Sequence, residues 1–298
     1  MTSHLRRAAT ALPLLCITAV LASSITNRGP YFPPIGGNGV PAPIPVVEYP
    51  VSDDYVRAFI LSHDGPAVAS RMITRYRPEQ DARPQPVRYF VTPITRAIWG
   101  GYITDVSGAF NFRVQGASGW FTAIHHNCTF GCPTVGSWAG IGGWNGSGNL
   151  AQTGLDQVSM RAFYEFTAPN PPTPATELFS VNQGDAMFAE VDWDAGTARY
   201  MIFVEDTTTG VFFSSEFSYN PDLTTAEWIT EVYGGSVPAI GGIPFSSTFW
   251  YDQNNAAHTE SNGAQTVWQV TLVDPNGGCV VPTALSGDAA FTNNTPNC

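Results

Sequence analysis

Residues 158–167 read Val-Ser-Met-Arg-Ala-Phe-Tyr-Glu-Phe-Thr. Val158, Met160, Ala162, Tyr164 and Phe166 share one face, and Ser159, Arg161, Phe163, Glu165 and Thr167 the other. A period of two is the signature of a β-strand that packs one face against a core. Working outward, the same alternation recurs over Ala186–Trp193, Ala198–Glu205, Thr225–Val232 and Thr266–Val273, with Gly, Asn and Pro clusters between the runs. From about Val87 onward no amphipathic helical pattern intervenes, and no internal repeat is visible. Many short alternating strands without crossover helices specify an all-β chain, an antiparallel sandwich or barrel of one domain.

Composition agrees and excludes other classes. The 298 residues are 43% hydrophobic but only 12% charged, with 29 Gly and 24 Pro. Turns are therefore frequent, and a coiled coil, which needs Ala, Glu, Lys and Leu, is excluded. All 13 basic residues are Arg, and the net charge is −11. No basic stripe exists for phosphate backbones, so no nucleic-acid partner is expected. The charge is unevenly spread. Residues 1–97 hold ten Arg against six acids, a balance of +4, whereas residues 98–298 hold three Arg against eighteen acids, −15. Self-repulsion in such an acidic part weakens as carboxylates protonate near about pH 4, which hints at an acidic working medium.

The front of the chain reads as an address. Arg6 and Arg7 precede an apolar run from Ala8 to Ala22, the pattern of a secretory signal peptide over residues 1–22; the run is short for a membrane anchor. Cys16 is lost with it. A secreted, extracellular protein with no membrane association after signal removal is expected. Residues 23–90 are basic and Pro-rich, with a possible helix near Asp54–Met72. They form either a pro-segment, whose arginines cap an acidic cleft, or a solvated linker. The strand-rich domain occupies residues 91–298.

Four cysteines remain: Cys128, Cys132, Cys279 and Cys298. An even count in a secreted chain favours two disulfides, and of three connectivities we take the local pairs Cys128–Cys132 and Cys279–Cys298. Zinc held by His125, His126 and the neighbouring cysteines is the competing reading, but the ligands are crowded and lack a finger spacing.

The usual nucleophile signals are missing. There is no Gly-x-Ser-x-Gly elbow, no free Cys to pair with a His, no His-Glu-x-x-His helix and no Gly-rich phosphate loop. An aspartic dyad would need two Asp-Thr/Ser-Gly loops; Gln152-Thr153-Gly154 has Gln in that place. Carboxylates and amides remain, and no metal or other cofactor is expected.

Six segments then resemble one family in order. Trp138-Ala-Gly-Ile-Gly-Gly143 and Leu150-Ala-Gln-Thr-Gly-Leu-Asp156 resemble the Trp-x-Gly-Ile-Asp-Gly and Leu-Gln-Thr-Gly-x-Asp stretches of the glutamic peptidases, or eqolisins. Ala162–Pro169 resembles their Tyr-Glu-Trp-Tyr-Pro segment. Gln183-Gly-Asp185 and Val204–Gly210 match an Ala-Gly-Asp strand and an Asn-x-Ser-Thr-Gly turn. Ala226-Glu-Trp-Ile229 matches the strand bearing their catalytic Glu, and Trp99-Gly-Gly-Tyr102 resembles the opening of their mature chain.

The resemblance implies a two-sheet antiparallel β-sandwich, jelly-roll or concanavalin-like, with one sheet bent into a cleft and preceded by a mostly extended pro-segment. It implies a secreted, pepstatin-insensitive acid endopeptidase acting on polypeptides, made as a zymogen whose own N-terminal pro-segment inhibits it. Its dyad falls on Gln152 and Glu227, with Trp138 and Glu165 supporting the substrate cleft; a monomer is expected. The chemistry suits those residue types. A Glu near its ordinary value of about 4.3 is partly ionised in mild acid and can take water's proton and return it to the leaving nitrogen. A Gln amide donates a hydrogen bond to an oxyanion at any pH, an interaction worth roughly 3–4 kcal/mol in comparable hydrolases. Strict alternation puts Glu227, Ile229 and Glu231 on one strand face, while Tyr164 faces away from Glu165 and packs. Gly142 departs from the family pattern, which has Asp there. The alternatives are a fold that has lost activity, a jelly-roll glycosidase using Glu165 and Glu227, and a carbohydrate-binding module offering Trp120, Trp144 and Trp250 as exposed stacking platforms.

Overall fold

The computed structural model describes residues 44–45, 90–96, 98–107, 112–126, 132–144, 148–167, 174–194, 197–260, 266–287 and 289–295. The expected signal peptide, nearly all of the basic segment with its possible helix, and Cys128 and Cys298 lie outside these residues. The described strands all fall within the unit Ala42–Cys298.

Among the described residues every regular element is a strand. One run of pairings joins β1 (Ile44–Pro45), β2 (Phe90–Arg96), β15 (Thr266–Val273), β3 (Trp99–Asp105), β12 (Thr225–Tyr233), β5 (Thr134–Ile141), β6 (Ala151–Asp156), β7 (Arg161–Phe166) and β8 (Thr176–Ser180). A second joins β11 (Val211–Phe217), β10 (Arg199–Asp206), β9 (Ala186–Asp194), β4 (Gly116–Thr122), β13 (Gly242–Tyr251), β17 (Ala290–Asn294) and β16 (Cys279–Pro282), with β14 (Ala257–Thr259) also on β13. Strand β16 pairs with β15 as well as β17 and so carries one run into the other. Every described pairing is antiparallel except β2 with β15. The end strands β8 and β11 lie near each other, and beside them Tyr164 on β7 packs across the interior on Phe213 of β11 at 5.5 Å; the sheet is nearly closed into a barrel-like sandwich.

The interior between the two runs is filled by the apolar face of each strand. Tyr102, Ala139, Ile141, Ala226 and Trp228 meet Ala117, Phe121, Met187, Val191, Ile202 and Phe245 there. The Trp228 indole reaches across to β4 and donates from Nε1 to Ser118 O at 2.8 Å. Gly119 makes the room, because a Cβ on it would stand 2.9 Å from Trp228 Cδ1. The opposite face of the first run carries a separate cluster of Ile103, Trp138, Leu150, Phe163, Ile229 and Val270.

The alternation predicts the strands well but not all their ends. The run 158–167 becomes a strand only from Arg161. Asp156 accepts Val158 N at 2.8 Å and Ser159 Oγ at 2.9 Å, which turns the chain there, and Met160 takes a left-handed φ of 53°. From Arg161 on, the faces are as expected: Ala162, Tyr164 and Phe166 pack inward, and Phe163 turns to the other side. The exposed tryptophans of the carbohydrate-binding alternative are not found. Trp120 is 5% and Trp250 0% exposed, buried by Phe188 and by the stacked His258 ring, while Trp144 is half-buried against Trp99.

Close backbone contact constrains the strand that carries Gln152. A Cβ at Gly154 would lie 2.1 Å from Ser137 O and 2.7 Å from Trp138 Cα. Gly154→Ala should therefore lower stability by roughly 1–3 kcal/mol or more, measured as a lower urea midpoint at unchanged m-value.

Candidate active site

The site is built from one row of cross-strand partners. Glu227 on β12 is opposite Gly140 on β5, Gly140 is opposite Gln152 on β6, and Gln152 is opposite Glu165 on β7. On the other flank Glu227 is opposite Ile103 and Ile103 is opposite Trp268. Directly opposed antiparallel residues project to the same face. Glu227 and Gln152 thus rise from backbones two strand spacings apart, roughly 10 Å, with a residue lacking a side chain between them. Gly140 is required there, since a Cβ would stand 2.8 Å from Ala151 O.

Gln152 is 2% exposed. Its Nε2 donates to Glu165 Oε2 at 2.8 Å, which fixes the amide's orientation, and its Oε1 has no hydrogen-bond partner among the described residues. Burial raises the Glu165 carboxyl above its ordinary value, and the hydrogen bond from Gln152 opposes that. Glu227 is 0% exposed, and the polar side chain that its carboxyl meets is Thr225. Burial pushes its pKa well above the ordinary range; the hydrogen bond with Thr225 opposes the rise, and the nearby Asp222 and Asp105 carboxyls add to it. The sequence expectation of a Glu near its ordinary value is corrected on this ground: a fully desolvated carboxyl holds its proton more tightly.

The open cleft, about 550 Å³, is lined by Gln152, Glu165, Trp138, Trp99 and Phe163, and also by Asp156, Glu177 and Glu231. Three of the four site residues expected from sequence therefore share one cavity. Glu227 is on the same sheet face but does not line it. The sequence reading assigns neither Glu231 nor Trp99 to the site. The available signal for Glu231 was its place four residues beyond Glu227 on the same alternating face. It accepts a hydrogen bond from Trp138 Nε1 at 3.1 Å. Burial raises it to about 7, with the Trp99 and Trp138 indoles opposing and Glu165 adding. Trp99 meets Trp138 edge to face at 5.2 Å and lies parallel to Trp144 at 6.2 Å. Tyr164, on the opposite face, packs against Phe213 and Phe217 as expected.

The departure at Gly142 has a steric cause. Its φ is +85°, and a Cβ would lie 2.3 Å from Asn149 O and 2.8 Å from Asp222 O. An aspartate does not fit there in this backbone. Among the described residues no group of three His, Cys, Asp or Glu side chains is arranged to hold a metal ion.

Comparison with known proteins follows from this geometry. Residues 97–293 match the Peptidase A4 family. Scytalido-glutamic peptidase, solved with a peptide-based transition-state analogue, is similar in fold at a TM-score of 0.53 and 16% identity, covering 67% of this chain and 99% of that one. SCP-B, a member of the eqolisin family solved with the tripeptide Ala-Ile-His, gives 0.51 and 14% over the same shares, 67% and 99%. A search of curated proteins returns no match. An all-β sheet with a carboxyl- and amide-lined cleft, matched by that family, is that of a peptide-bond hydrolase. The chain belongs to the Peptidase A4 family, the glutamic peptidases or eqolisins.

The cleft carboxyls make stability depend on pH with a definite sign. Glu231 binds its proton more tightly in the folded state than in the unfolded one. Its contribution is fully present below about 4.5 and is lost as pH rises toward about 7. Glu231→Gln should leave stability at about pH 4 nearly unchanged and raise it at about pH 7 by on the order of 3 kcal/mol, read from denaturant midpoints at both values.

Proposed function

We propose that the protein is a secreted acid endopeptidase in which Glu227 activates the hydrolytic water and Gln152 stabilises the tetrahedral oxyanion. The observation that carries this is the row Glu227–Gly140–Gln152, a buried carboxyl and a buried amide on either side of a glycine gap, with no hydrogen-bond partner for the amide Oε1 among the described residues. Buried polar atoms are ordinarily satisfied, and exceptions mark places where a ligand or water completes the set.

The steps follow from the two groups. Water gives a proton to the ionised Glu227 as its oxygen bonds to the scissile carbonyl carbon. Gln152 has two N–H groups; one is kept by Glu165 and the other is available to the developing oxyanion. Glu227 then passes its proton to the leaving nitrogen, the C–N bond breaks, and the carboxylate is restored. A raised pKa makes the ionised form a stronger base but a scarcer one, so the rate is governed by Glu227 ionisation. Because Glu227 is covered in the resting protein, the lining between it and the open cleft has to shift for water to reach it.

The finer architecture belongs to the same reading. The two runs of pairings form the two sheets of a jelly-roll sandwich, the first bent around the cleft. Residues 1–22 are a signal peptide and residues 23–90 an inhibitory pro-segment, supported by the contrast between seven Arg against six acids in 23–90 and four Arg against eighteen acids in 91–298, and by the pairing of Ile44–Pro45 along β2. The local disulfides Cys128–Cys132 and Cys279–Cys298 are part of this proposal, as is a monomer.

Glu227→Gln and Gln152→Ala should each reduce pepstatin-insensitive cleavage of an unfolded protein by at least about a hundredfold. In the wild type the acid limb of kcat/KM should lie above the ordinary carboxyl value of 4.5. Activity retained in either variant would remove the dyad.

A further inference from the structure

Beyond the intervening row of Ile229, Trp138 and Gly154, the pattern of the dyad recurs in the open cleft. Glu231 is opposite Trp99 on one flank and Gly136 on the other, and Gly136 is opposite Asp156. A Glu on β12 again faces a polar side chain on β6 across a glycine on β5, but here all three line the cleft. Unlike Gly140, Gly136 is not crowded. A Cβ on it would meet nothing nearer than Trp138 Cδ1 at 3.4 Å and Phe163 Cζ at 3.8 Å. The notch beside Glu231 is thus vacant room walled by aromatic carbon, and Trp138 Nε1 holds the Glu231 carboxyl in place at 3.1 Å.

We propose that Glu231 is a specificity-determining residue: in the Gly136 notch it favours a cationic side chain of the peptide over an anionic one, and the preference strengthens as the medium becomes less acid. This rests on the cleft being where the peptide binds. The other titratable groups facing the notch from the surrounding strands are Asp156, Glu165, Glu177 and Tyr233. None of the cleft-lining residues described is basic. Arg161 is engaged with Glu177 at 3.3 Å, and the Arg96 guanidinium lies 4.5 Å over the Trp144 ring. Burial holds Glu231 up to about 7. In acid the notch presents a neutral carboxyl, which hydrogen-bonds without selecting charge. Nearer neutrality the proton leaves to solvent, and a carboxylate remains in a half-buried site where charge is less screened than in water. The aromatic walls suit the alkyl stem and cationic head of a Lys or Arg side chain.

The test uses internally quenched peptides identical except for Lys, Met or Glu, placed in turn at each position flanking the cleaved bond. The Lys-to-Glu ratio of kcat/KM is compared at about pH 4.5 and about pH 6.5. At the position that enters the notch it should rise about tenfold in the wild type and less than about twofold in Glu231→Gln, which keeps an acceptor for Trp138. An equal rise in both proteins at every position overturns the proposal. Gly136→Ala puts a methyl in the notch and should slow cleavage of the Lys peptide more than the Met peptide. If Glu231→Gln fails to fold by near-ultraviolet circular dichroism, equal slowing of both peptides by Gly136→Ala overturns it. Glu227→Gln on the same peptides reports on the dyad separately, since loss of the dyad reading leaves the Lys-to-Glu comparison intact.

Discussion

The Trp228 indole, driven through the middle of the sandwich onto Gly119 and Ser118, is the contact on which the site depends. It sits on β12 between Glu227 and Ile229, so fixing its depth fixes which way every other residue of the strand points. Removing a buried Trp side chain typically costs roughly 3–5 kcal/mol, and here it would also free β12 to slide. A slip of a single residue would exchange the faces, sending Glu227 and Glu231 into hydrocarbon and Trp228 into the cleft. Gly101 reinforces the register from β3, with a φ of +145° and room for no Cβ against Trp228 O.

Around that pin, glycine is used as empty space. Gly140 and Gly136 leave two gaps in the side-chain carpet of β5, and Trp138 stands between them. A carboxyl and a polar group face each other across each gap. One gap is sealed and leaves its carboxyl fully desolvated; the other is open and holds its carboxyl with an indole N–H. Desolvation, the dominant cause of the rise at Glu227, Glu231 and Glu165 alike, is thus graded across a few strands of a single face. The sum favours the folded state in acid.

Much of this was legible in the chain. Alternation gave strands over 186–193, 225–232 and 266–273 that differ from the observed ones by a residue or none. It also sorted Glu227, Ile229 and Glu231 from Ala226, Trp228 and Thr230 correctly, and Tyr164 from Glu165. What alternation lacks is register, because pairing is set by contacts distant in sequence. The alignment of Glu227, Gly140 and Gln152 spans three segments and could be inferred only through the family resemblance. The burial of Trp120 and Trp250 depends on which strands flank them, and composition misjudged it. The crowding at Gly142 comes from Asn149 and Asp222, loop residues whose approach no local pattern encodes. Glu231 was on the right face, yet nothing local distinguished it from a solvated strand acid.

The near-closure of the sheet has a mechanical side. No backbone ladder joins β8 to β11 among the described residues; beside that seam Tyr164 on β7 stacks on Phe213 and lies tilted against Phe217, both on β11. Ring stacking tolerates sliding that a ladder does not, and local opening concentrates where backbone pairing is absent. The seam is therefore where local opening meets the least backbone resistance. Tyr164 and Glu165 are adjacent on β7, so the strand bordering that seam also carries the carboxyl that tethers Gln152.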